Sequence, residues 1–135
     1  MKRASAAGLL VLAMLAGCSL GDEERPRQVT GAAREIEAVV ERLEEAVRVR
    51  DWPTICNEIF TPAARRRAGG PDCPRLLRSD AAGVRSPRIE LVSIELKRGT
   101  ALVRVRSRAR GQPPLVDVIE LKRAADGYRV ESLRG

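Results

Sequence analysis

The sequence predicts an α+β fold, with amino-terminal helices packed on a curved antiparallel four-stranded sheet. Three observations predict it. Apolar residues recur at three- and four-residue steps in the first half of the chain, the period changes to two from Arg88 onward, and turn residues separate the later runs at hairpin spacing. Helices followed by strands is the pattern of a two-layer domain that buries one stripe of helix against one face of a sheet.

The first helix is expected over 32–50 behind Thr30 as N-cap, with Ile36, Val39, Val40, Leu43, Ala46 and Val47 on one face. Glu44 and Arg48 stand one turn apart in the favourable order. Asp51 is placed to cap a short second helix through Pro53 to Phe60, which would bury Trp52, Ile55, Cys56, Ile59 and Phe60. Thr61 and Pro62 restart the same signal, and Gly69 and Gly70 end it. Asp72, Cys73 and Pro74 open a fourth helix carrying Leu76 and Leu77 and ending near Gly83.

Strands are expected over 88–97, 100–110, 115–123 and 128–133, joined at Arg98-Gly99, at 111–114, and at Asp126-Gly127 as a type I′ turn. Strict alternation then collects Val92, Ile94, Leu96, Val103, Val105, Ile119, Leu121, Tyr128 and Val130 on one face. Glu95, Arg104, Arg106, Arg108, Arg110, Glu120, Lys122, Arg129 and Glu131 fall on the other, with Lys122 opposite Glu131.

Ahead of the domain, Lys2 and Arg3 followed by an apolar run to Ala16 read as an export signal, too short to span a bilayer. Leu15, Ala16, Gly17 and Cys18 resemble the lipobox of bacterial lipoproteins. That resemblance implies removal of residues 1–17 and diacylglyceryl and palmitate-type acylation of Cys18. Two acyl chains hold a soluble domain at a membrane. The alternative is an ordinary signal peptide that ends near a cysteine. Residues 18–29 are polar and aperiodic and are expected to form a flexible tether ahead of a single domain over 30–135.

Once the leader is removed, Lys2 and Arg3 leave 23 basic against 18 acidic residues, concentrated as arginine in the carboxyl-terminal half. Cys56 and Cys73 are then an even pair in an oxidising compartment and are expected to form a disulfide closing a loop of 18 residues. Such a closure contributes roughly 3 kcal/mol. A metal site would need more ligands than these two thiols, and the chain has no histidine. No cofactor is indicated.

The helices followed by a meander that closes on Asp126, Gly127, Tyr128, Arg129, Val130, Glu131, Ser132 and Leu133 resemble the NTF2-like (cystatin-like, SnoaL-like) superfamily. The resemblance covers 30–133 and includes Trp52 after an acidic residue at the end of the first helix. It implies a cone in which the first helix lies in the concavity of a bent sheet. Some members are isomerases and cyclases that use an aspartate as general base, and here alternation puts Asp117 on the apolar face beside Ile119. Tyr128 and Ser132 share that face and join Asp117 as ligand-pocket candidates. Without a histidine to assist proton transfer, the expectation is a non-enzymatic domain that binds a small ligand or an envelope component. Members often dimerise through the outer sheet face, and its charge here argues for a monomer.

The alternate arginines 104–110 and the run Arg65, Arg66 and Arg67 are expected to be solvated surfaces. Nucleic acid is not an expected partner, because an exported chain with one Trp, one Tyr and one Phe offers few rings for base stacking.

Overall fold

The computed structural model describes the backbone of residues 26–134 and the side chains from residue 31 onward. The leader, Cys18 and the amino-terminal part of the expected tether lie outside the described residues. Helix α1 (Pro26–Val49) begins upstream of the Thr30 cap that the sequence suggested. A proline tolerates the first helical position because its ring presets φ and its missing N–H is one that the helix start leaves unpaired anyway. Ile36, Val40, Leu43 and Ala46 are buried along one face of α1, as their spacing requires. Arg48 pairs with Glu45 at 2.6 Å rather than with Glu44. Glu44 turns instead to the sheet, where it accepts a hydrogen bond from the Ile89 amide at 2.6 Å.

Arg50, with a φ of 61°, breaks α1, and the Asp51 carboxylate caps α2 (Trp52–Thr54) by accepting from the Thr54 amide at 3.2 Å. The chain then widens into a π-helical turn (Ile55–Ile59), closed by the Phe60 amide donating to the Ile55 carbonyl at 2.9 Å. Thr61 caps α3 (Pro62–Arg67) by accepting from the Ala64 amide at 3.0 Å. Gly69 ends it in a left-handed conformation at a φ of 114°, where a Cβ would also strike Leu76. A 3₁₀ turn (Gly70–Asp72) leads into α4 (Cys73–Asp80). Asp72 makes no capping bond to α4 and pairs with Arg75 at 3.5 Å instead. Cys56 and Cys73 are bonded with their Cα atoms 6.1 Å apart, both fully buried, so the disulfide staples α4 to the π turn.

The sheet is an open antiparallel meander in the order β1 (Arg88–Lys97), β2 (Thr100–Arg108), β3 (Leu115–Ala124), β4 (Gly127–Arg134). Ala101, Val103, Val105, Ile119, Leu121 and Val130 form its buried face against α1 and the shorter helices. Full burial of side chains of this size contributes about 1.5–3 kcal/mol each.

Strict alternation fails at two places. The β1–β2 register shifts between Leu91 and Ser93, so Val92 bulges out at 46% exposure while Ile89 and Leu91 pack on the core before the bulge and Ile94 after it. Leu96, also expected inside, is 38% exposed at the strand end. The β3–β4 register shifts between Glu120 and Leu121, whose partners are Ser132 and Val130, leaving Glu131 unpaired as the extra residue. Each bulge adds one residue to one strand and reverses the faces beyond it.

The last turn also differs from expectation. Ala124 pairs with Gly127, so Ala125 and Asp126 form the tip, and Lys122 stands opposite Arg129 rather than Glu131. Type I′ needs positive φ at both tip residues. Among the described non-glycine residues only Arg50 and Ser86 have positive φ, and Gly127 supplies it just after the tip, at 118°.

The edges of the sheet are engaged by the helical layer. On β4 the Thr61 amide donates to the Val130 carbonyl at 2.9 Å and Arg67 donates to the Glu131 carbonyl. On β1 the Ile89 amide is taken by Glu44.

Candidate functional site

A cleft of about 530 Å³ opens between α1 and the tip of the β3–β4 hairpin. Helical spacing sets Glu35, Ala38, Val39 and Arg42 on the wall that α1 supplies, and the hairpin supplies Arg123 to Arg129. Six charged groups line it in three opposed pairs. Arg42 meets Glu58 at 2.6 Å, Arg123 meets Glu35 at 3.7 Å, and Arg129 meets Asp126 at 2.6 Å. Tyr128, 9% exposed, closes the inner end, and the Arg123 guanidinium stands 5.1 Å from its ring centroid in cation–π geometry. Arg129 donates to both Asp126 oxygens, at 3.3 and 2.6 Å, and these bonds hold the Asp126 carboxyl below its ordinary range. The walls therefore carry both signs of charge at fixed positions and little net charge, with an aromatic face at the end. That is an arrangement for holding a polar small molecule of low net charge.

The three pocket candidates read from the sequence do not come together. Tyr128 lines the cleft. Asp117 lies on the core side of β3 opposite Val105, half-buried, and is not among the residues lining the cleft; it makes no hydrogen bond or ion pair among the described residues. Ser132 leaves the core face because the bulge at Glu131 reverses the strand beyond it; its hydroxyl bonds to Glu120 at 3.3 Å. Cys18 lies outside the described residues. No three potential ligands converge on a metal position among the described residues, and no helix among them is long and apolar enough to cross a membrane.

Sequence reasoning missed two residues that organise this region. Arg129 was placed on the outer face, but β4 is an edge strand and its side chain lines two clefts with residues of the helical layer. Glu131 was read as an outer-face charge. Its bulge brings it within 2.6 Å of the Thr61 hydroxyl and 3.2 Å of Arg67, and its side chain is only 13% exposed. The Thr61 bond, followed by the nearby Arg67 and Lys122 charges, outweighs desolvation and holds the Glu131 carboxyl below its ordinary value. The arginine row is less free than the sequence implied, since Arg106 and Arg108 reach Glu90 at 3.9 and 3.7 Å. No protein-family model, no curated protein and no solved structure matches the chain, and the site therefore stands on its own residues.

Proposed function

We propose that this chain is a lipid-anchored extracytoplasmic binding protein, NTF2-like in plan and non-enzymatic, that takes a small ligand or envelope component in the cleft beside Tyr128. The observation that carries the reading is the Cys56–Cys73 disulfide. A closed bond suits an oxidising compartment, and it uses two of the three cysteines, leaving as the third Cys18, which directly follows the expected export leader. The cleft between the first helix and the sheet supports the binding part of the reading. An Asp117 that lies away from that cleft supports a non-enzymatic role, because a general base must reach the proton it abstracts.

Fractionation of cells making the full-length chain tests this directly. The protein is expected in the membrane fraction, released by detergent and not by salt, with a mass that includes diacylglyceryl on Cys18. Replacement by Cys18→Ser should leave it unacylated. Recovery of unprocessed wild-type protein from the soluble interior with three free thiols would overturn the proposal.

A further inference from the structure

On the far side of Arg129 lies a second cleft, of about 300 Å³, between the π turn and α3. Its apolar walls include Phe60, Pro62 and Pro71, and its charged lining is Arg65, Arg66 and Arg129, with no carboxylate among the lining residues. This is the reverse of the first cleft, where every guanidinium faces an acid. The run Arg65, Arg66 and Arg67, which reads in sequence as one solvated patch, is divided by the fold. Arg67 leaves for Glu131, and Arg66 stays exposed in no ion pair among the described residues.

Arg65 is half-buried, and its Nε has no hydrogen-bond partner among the described residues although it is shut away from water. With its Nε shut away from water, Arg65 brings its charge to the cleft lining, where no carboxylate stands beside it. Arg129 is already held by Asp126, which orients it and offsets part of its charge. Two guanidinium groups with no carboxylate among their neighbours in an apolar slot favour an anionic acceptor, and planar guanidinium forks match the oxygens of phosphate and carboxylate groups.

We infer that this second cleft is a binding site for a small organic oxyanion, a phosphate-type group seated on Arg65 and Arg66 and carried on an apolar body that lies against Phe60, Pro62 and Pro71. The volume suits one small molecule. This inference depends on neither the lipid anchor nor the cleft beside Tyr128.

Calorimetric titration of the full-length protein in detergent with phenyl phosphate is the test. Saturable binding is expected that weakens with added salt and falls roughly tenfold in Arg66→Gln, the loss of one charge-assisted contact. Because Arg66 is exposed, that variant should keep the parent melting temperature. Arg65→Met keeps the apolar stem and removes the unpaired donor, so it should melt no lower than the parent while losing binding. Arg104→Gln, on the outer face, should bind as the parent does. Phosphatidylglycerol vesicles distinguish the source of the group. Preference for phenyl phosphate indicates a soluble ligand, and vesicle binding that phenyl phosphate displaces and Arg66→Gln weakens indicates a headgroup. No heat with phenyl phosphate up to about 10 mM, or equal binding by the parent and Arg66→Gln proteins, overturns the inference.

Discussion

Glu131 ties the sheet to the helical layer through one carboxylate, and its environment contributes to how the protein responds to acid. Its folded value lies below the ordinary 4.5, first because the Thr61 hydroxyl donates to it. A depressed carboxylate contributes its full stability above the unfolded value and loses it as pH falls through the folded one. The Glu131→Gln protein should therefore lose less melting temperature than the parent between about pH 6 and about pH 3, part of the slope remaining with Asp126, which Arg129 also depresses. At neutral pH the same variant should be less stable than the parent by about 2 kcal/mol in denaturant titration, the worth of hydrogen bonds to a charged group. Thr61→Ala should cost a similar amount, because one hydroxyl accepts from the Ala64 amide and donates to Glu131. The Thr61 cap was legible in the sequence, but its bond to Glu131 was not. Alternation placed Glu131 on the outer face, and only the extra residue in β4 turns it toward Thr61, seventy positions earlier in the chain.

At the scale of elements the sequence was read more successfully, and the physical reason is that the successful signals are local. Four strands, the Asp51 and Thr61 caps and the buried stripe of α1 depend on spacings of two to four residues, which the chain displays openly. Bulges depend on a count of residues between two strands, and no single strand shows that count. Val92 and Val103 give a matched test. The Val92→Thr change should alter stability by less than about 0.5 kcal/mol, whereas Val103→Thr should cost more than about 1 kcal/mol by burying an unpaired hydroxyl. Strict alternation would have made the two equal. The disulfide was legible from cysteine arithmetic, and its placement adds a prediction. Replacing both cysteines by alanine should cost about 3 kcal/mol and raise hydrogen exchange first in α4, which the bond holds to the π turn.

Across the whole molecule, the clefts join residues that no pattern relates. Glu35 and Arg123 meet across the first cleft only because α1 crosses the hairpin, and Asn57 meets Arg65 and Arg129 in the second because the disulfide region folds back on the sheet edge. Of the candidates chosen from the sequence, Ser132 followed the alternation rule and missed with it, Asp117 keeps the core side that alternation gave it without lining the first cleft, and Tyr128 sits before the bulge and lines that cleft. The ion pairs of the first cleft are largely exposed and are worth little to stability, under about 1 kcal/mol each. Arg42→Gln should therefore leave the melting curve almost unchanged while altering which ligands the cleft retains, a contrast that thermal melts with and without a small-molecule library would read.

The attachments at the two margins of the sheet have a further effect on how copies of the protein tolerate one another. A strand from a neighbouring molecule, arriving side-on, finds the Ile89 amide spent on Glu44 and the carbonyls of Val130 and Glu131 spent on Thr61 and Arg67. At those positions the two edges offer an incoming strand fewer free backbone partners, which weakens the template for lateral growth into fibres.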